Sequence, residues 1–268
     1  MIATTFQKLK NMKKPIIIIG IGELAGVFSR GFLRCGFPVY PMTREMDLSQ
    51  ECQQIPSPKL ILITVQENEL HSVLSQLPKQ WLNKICLVQN ELLPRDWQSH
   101  SIENPTVTVV WFEKKKGKVL TNILQSPSYG PNASIISNAL QTVDIPAPIL
   151  ENEEDLLYEL VRKSTYILTV NIAGLLNNCT VEELWMHHQT LAREIAREVI
   201  LIQESLIRTQ LPHEKLIQGM AEGIKDCPYR YCLGRRALSR LERALHYADE
   251  GSIKTPKLVE IYKIVKRV

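Results

Sequence analysis

The residues whose spacing most plainly encodes chemistry are Gly20-Ile21-Gly22-Glu23-Leu24-Ala25. They follow an apolar, β-branched run, Pro15–Gly20, and open a stretch of helical periodicity from Leu24 to Cys35 that stops at Gly36. A strand, a glycine turn and a helix in this order form a cradle for a pyrophosphate. The first glycine permits the tight turn, and the second lets a phosphate approach the backbone. A small residue in the third place, here Ala25, allows helix and strand to pack closely. The helix start adds unpaired N–H groups and the positive end of a dipole. A turn of this kind also occurs in α/β proteins that bind no nucleotide, so its surroundings matter. Arg44 stands 24 residues after Gly20, just past a second strand-like run at Val39–Met42. A carboxylate at that place would bind the ribose hydroxyls of NAD. An arginine suits the 2′-phosphate of NADP, with Thr43 adding a hydroxyl contact. The alternative is a loop arginine paired with Glu45 or Asp47.

These residues need a scaffold, and the first half of the chain supplies the pattern of one. Lys59–Val65, Ile85–Gln89 and Thr106–Phe112 are further apolar runs, and a helix-like stretch, Glu67–Leu77, lies between the first two. Alternating strands and helices predict a parallel sheet with right-handed crossovers. Lys114–Lys118 reads as a hairpin turn of solvated lysines. Near residue 150 the pattern changes. Pro146 and Pro148 punctuate the chain, and Glu151, Glu153, Glu154 and Asp155 suit a helix N-terminus. The rest reads as helices at Glu153–Leu176, Val181–Thr209, Glu214–Gly223, Leu233–Asp249 and Pro256–Val268. The expected architecture is α/β: an N-terminal Rossmann-like parallel-sheet domain over 1–150, then an all-helical domain over 151–268 for substrate and dimerisation.

Composition excludes several classes. The chain has 268 residues, 44% hydrophobic and 22% charged, with a net charge of +4. That composition can bury a core, so disorder is excluded as the main state. Lys8, Lys10, Lys13 and Lys14 alone match the charge excess, so no broad nucleic-acid face is expected. The aromatic residues are not interleaved with a basic stripe either. The run Ile16–Ile19 is too short to span a bilayer, and the basic leader lacks the apolar stretch of a signal peptide. The six cysteines form no CxxC pair, which disfavours zinc, although Cys227 and Cys232 are close enough in sequence to meet. His187 and His188 are adjacent, face different sides of a helix and cannot chelate one metal together. A cytoplasmic protein with reduced thiols is expected, with no nucleic-acid, membrane or metal partner. Leu191–Ile207 is strongly amphipathic. Its stripe suits an intradomain core, and the helical half could also pair with a second copy.

At this point the chain resembles the ketopantoate reductase (2-dehydropantoate 2-reductase) family. The glycine turn through Gly36-Phe37-Pro38-Val39-Tyr40-Pro41-Met42-Thr43-Arg44 is similar to the family's opening. Leu87-Val88-Gln89-Asn90-Glu91 resembles an apolar strand ending in Q/H-N-G, and Glu159-Leu160-Val161-Arg162-Lys163 resembles E-L-W-R-K. Arg236-Ala237-Leu238-Ser239-Arg240-Leu241-Glu242 resembles the segment ending in the family's substrate-binding glutamate. The resemblance implies a Rossmann domain holding NADPH and a helical domain of the 6-phosphogluconate dehydrogenase C-terminal-like kind. It implies hydride transfer to the carbonyl of a small 2-keto acid. It also implies roles: Asn90 beside nicotinamide and substrate, Lys163 as proton donor, Asn171 as substrate ligand and Glu242 as hydroxyl partner. The cofactor set is then Gly20, Ile21, Gly22, Glu23, Leu24, Ala25, Thr43, Arg44 and Asn90.

The sequence departs from that pattern on the substrate side. Lys163 and Asn171 are eight residues apart, where the family spacing is four. On an ideal helix eight residues span about 12 Å. The bland alternative is a snorkelling surface lysine and a helix-packing amide. Gln66 stands near where a cofactor-side lysine is usual, Glu91 replaces a glycine, and Arg230 replaces a substrate-facing serine. Two readings follow: an NADPH-dependent 2-keto acid reductase with a modified site, or a catalytically impaired NADP(H)-binding relative that acts as a sensor or interaction protein. Related two-domain dehydrogenases with other substrates form a third.

Overall fold

The computed structural model describes residues 13–267, so Lys8, Lys10 and Val268 lie outside the described residues. The chain divides into two compact units. One comprises the chain through Gln89, Asp96–Thr121 and Gln125–Leu156; the other comprises Asn90–Arg95, Asn122–Leu124 and the chain from Leu157 on.

The first unit is built on β1 (Ile16–Ile19), α1 (Glu23–Arg34), β2 (Val39–Met42), α2 (Leu48–Gln54), β3 (Leu60–Ile63), α3 (Leu70–Ser75), β4 (Ile85–Leu87) and β5 (Thr106–Thr108), and the short α4 (Pro94–Gln98) is divided between the two units. β6 (Phe112–Glu113), β7 (Thr121–Asn122), β8 (Ser128–Tyr129) and α5 (Ala133–Gln141) follow. The main sheet runs β2-β1-β3-β4-β5-β8. The first five strands are parallel, and β8 pairs antiparallel with β5. Strands β1 and β3 are wholly apolar and fully buried, as a strand covered on both faces must be. α1 packs Ala25, Val27, Phe28 and Phe32 into the core with Ile136, Ala139 and Leu140 of α5. Gly31 makes this approach possible, because a Cβ there would run into the Ala139 carbonyl.

Several expectations are corrected here. The run Thr106–Phe112 is not one strand. It leaves the sheet after Thr108, and Trp111 N–H bonds to the Ser126 hydroxyl at 2.9 Å. β8 and α5 carried no clear sequence signal, because a two-residue strand between Pro127 and Gly130 reads as loop. Lys114–Lys118 does lie between two short paired strands, β6 and β7.

The second unit is helical: α6 (Glu153–Ala173), α7 (Val181–His187), α8 (Gln189–Ile207), α9 (His213–Asp226), α10 (Ala237–Glu250) and α11 (Pro256–Val265). The stretch expected as one helix over Val181–Thr209 breaks at His188, whose φ of −129° and ψ of 31° are not helical. α7 starts at a capping box in which Thr180 and Glu183 satisfy each other's backbone N–H groups. Among the described residues no helix is long and apolar enough to cross a membrane.

The cysteines are all free thiols. Cys232 lies beside Cys179, Sγ to Sγ 4.0 Å. The partner is set by backbone pairing, since Cys232 N–H donates to the Cys179 carbonyl at 3.0 Å.

Candidate active site

In a sheet of this order the sequence of strands switches sides between β1 and β3, and a crevice opens at the carboxyl ends of the strands. A cleft of about 720 Å³ lies there. Its walls come from Gly20 and Gly22 of the turn, Met42, Thr43 and Arg44 after β2, and Thr64, Val65 and Gln66 after β3.

The turn is held from beneath. Gly20 N–H donates to the Met42 carbonyl at 3.1 Å, and the Thr64 hydroxyl donates to the Gly20 carbonyl at 2.6 Å. Gly20 has φ +92°, and a Cβ on it would lie 3.0 Å from Val65 Cγ1 and 3.1 Å from Val65 N. Only glycine fits both constraints. Gly22 is different: its φ is −85°, and a Cβ there would meet no protein atom within 4 Å. The space above it is open. Gly22 is also the N-cap of α1 and makes no side-chain cap, so the amides of the first turn are offered to whatever enters the cleft. Ile21 is exposed and Ala25 is buried under the turn, so the six residues split into a face toward the cleft and a face toward the core. Glu23, in the first helical turn, ion-pairs with Lys114 at 3.6 Å. A member of the lysine-rich turn thus offsets a carboxylate that would otherwise repel a phosphate.

Arg44 is exposed on the cleft wall. Neither neighbouring acid takes it as an ion-pair partner. Asp47 caps α2 by accepting from Gln50 N–H at 2.8 Å. Glu45 is held below the usual carboxylate range first by a hydrogen bond from the Thr43 side chain, and Arg44 acts on it only as the weakest of several influences. Arg44 thus acts on Glu45 as a neighbouring charge, while Thr43 is engaged with Glu45. Met46, Asn68, Glu69, Ser72 and Val73 also line the cleft and went unnoticed in the sequence, because helical periodicity marks the buried face of such a stretch and not the residues that face a cleft.

The expected substrate-side residues lie in the helical unit. Lys163 and Asn171 are both on α6 and both only 7% exposed. Lys163 is therefore no surface lysine; its ammonium lies 5.9 Å from the centre of the Tyr166 ring. Arg230 donates to the Tyr166 hydroxyl at 3.1 Å, and burial pushes that phenol's pKa up. Asn171 is not an idle packing amide, since its Oδ1 accepts from Arg240 at 2.9 Å. Glu242 is exposed and ion-paired with Lys266 at 3.0 Å. The structure joins Asn171 to Arg240 and does not bring Glu242 into that group. Asn90 opens the stretch that groups with the helical unit, and the Gln89 amide before it ties back to the Ile63 carbonyl at 2.7 Å. Arg240 and Arg243 were legible in principle: their three-residue spacing puts both on one helical face.

No known family profile matches the chain, and no curated protein sequence does. Solved structures do. The 2-dehydropantoate 2-reductase from Methylococcus capsulatus matches with TM-score 0.65 at 12% identity, over 94% of this chain and 96% of that one. The chain has the fold of the ketopantoate reductases. A PanE/ApbA family ketopantoate reductase from Ralstonia eutropha JMP134 gives TM-score 0.66 at 14% identity, over 94% and 97% of the two chains. D-mandelate dehydrogenase in complex with NADH gives 0.67 at 13%, over 94% and 98%. The ketopantoate reductase fold thus runs through both units, the glycine-turn unit and the helical one.

Proposed function

We propose that the protein is an NADPH-dependent reductase of a small 2-keto acid. The observation that carries this reading is the cleft at the ends of β1–β3, with the Gly20–Gly22 turn on one wall and Arg44, which makes no ion pair among the described residues, on another. The residues fit a dinucleotide phosphate: open space over Gly22, uncapped amides at the start of α1, and a guanidinium in place of the acid that would hold ribose hydroxyls. Gly20, Gly22 and the α1 amides would hold the pyrophosphate and Arg44 the 2′-phosphate.

A bound nicotinamide would supply a hydride to the keto carbon. The chain's own part is to place the acid and move a proton. Lys163 is the candidate donor to the developing alkoxide, kept from solvent beside Tyr166. Asn171 is the candidate ligand for the substrate, its orientation fixed by Arg240. Asn90 is assigned to the nicotinamide and substrate by resemblance. The similar Staphylococcus aureus ketopantoate reductase is dimeric, and a homodimer through the helical unit is proposed here on that likeness.

The test is a titration with NADPH and, separately, NADH, followed by fluorescence. Ketopantoate and a panel of 2-keto acids are then added and cofactor oxidation is recorded. Tight NADPH binding with oxidation by a keto acid is expected. NADPH binding without turnover on any acid would move the protein to the sensor or interaction class. No NADPH binding would remove the reading altogether.

A further inference from the structure

Glu91 has φ +60°, a left-handed conformation in which glycine carries the least strain. Charge holds it there. Its carboxylate accepts from Arg240 Nε at 2.8 Å and from Arg243 Nη2 at 2.7 Å and Nε at 3.1 Å. Arg240 donates in turn to Asn171 Oδ1. The side chains of Glu91 and Arg240 are 12% and 10% exposed, so this is not a solvated surface pair. All four residues belong to the helical unit. Arg240 fixes the Asn171 amide with its oxygen toward the guanidinium, so Nδ2 is what the amide can offer a ligand. Behind it Gly234 leaves no room for a Cβ, which would collide with Asn171 Oδ1.

Two guanidiniums thus gather on one carboxylate, and one of them also holds a carboxamide. Guanidinium forks recognise carboxylates in this way. A pair kept only for stability would gain nothing from a strained backbone, whereas strain at Glu91 opposes its own clamp. We infer that Arg240 and Arg243 recognise the carboxylate of the substrate, and that Glu91 is an internal carboxylate occupying the pair until an incoming acid displaces it. The inference rests on the proposed reductase reading for the identity of that acid, a 2-oxo acid; the anion site itself is tested without cofactor.

The probes are malonate and pyruvate, titrated into the cofactor-free protein and read by calorimetry and thermal shift. Glu91→Gly relieves the left-handed strain and takes the carboxylate away from the two arginines; Glu91→Gln keeps the side chain and removes its charge. Both variants should bind the anions about tenfold more tightly than the unsubstituted protein. The gain should vanish when Arg243→Gln is added to Glu91→Gly. Variants that fold normally but bind no tighter, or a gain that survives loss of Arg243, would overturn the inference. Loss of folding in both variants would overturn it too, because Glu91 would then be a structural clamp. Tighter anion binding without any keto-acid-dependent NADPH oxidation would sink the reductase reading and leave the anion site standing.

Discussion

Replacing Gly22 by alanine separates the fold from the function of the turn. At Gly22 the backbone is extended, with φ −85° and ψ −170°, which alanine adopts without strain, and the added methyl meets no protein atom within 4 Å. Stability should therefore change by no more than about 0.5 kcal/mol. The methyl would instead occupy the open space through which, in the proposed binding mode, a phosphate approaches the α1 amides. Losing one charge-assisted hydrogen bond there costs about 1.5–3 kcal/mol, or about ten- to a hundredfold in NADPH affinity. Gly20→Ala is the contrast. It places alanine at φ +92°, costing about 1–2 kcal/mol, and drives a methyl to 3.0–3.2 Å from Val65 and Thr64, two of whose three contact atoms are backbone. Overpacking of that kind adds about 1–3 kcal/mol. Urea unfolding and fluorescence titration with NADPH, run on both variants, give the comparison. A Gly22→Ala protein that unfolds like the unsubstituted one yet binds NADPH with undiminished affinity would refute the argument that the turn cradles the cofactor.

Three more outcomes are expected. Arg44→Ala should weaken NADPH binding about tenfold and leave NADH nearly unchanged if the exposed guanidinium serves the 2′-phosphate as proposed; equal losses for both would remove it from cofactor choice. Lys163→Ala should lower turnover by about two to four orders of magnitude while the NADPH dissociation constant holds, checked by steady-state kinetics beside titration. Gly31→Ala should destabilise the fold by about 1–3 kcal/mol in denaturant, because its methyl would run into the Ala139 carbonyl and wedge α1 from α5.

The parts legible in the sequence are those fixed by local rules. The wholly apolar runs at Ile16–Ile19 and Leu60–Ile63 became buried strands because nothing but a doubly covered sheet accommodates four such side chains in a row. The helix after Gly22 and the left-handed Gly20 followed from chain geometry at a strand–helix turn. The single strand expected over Thr106–Phe112 failed because hydrogen-bond partners, not apolarity, decide where a strand ends; Trp111 finds its partner in a side chain, Ser126. α5 was invisible because its role, packing against Gly31, depends on a residue more than a hundred positions away.

On the substrate side local spacing was a poor guide. The sequence by itself determined a strand, a glycine turn, a helix and a following arginine, because those depend on neighbours in the chain. It singled out Glu242 and treated Glu91 as an intruding acid. Tertiary structure decided otherwise for the charges: Glu242 pairs with Lys266, and Glu91 is neutralised by Arg240 and Arg243. The partners of Glu91 lie about 150 residues further along the chain, |i−j| of 149 and 152. No local pattern encodes such a contact; only the packing of helices brings a buried charge to the counter-charge that makes it tolerable.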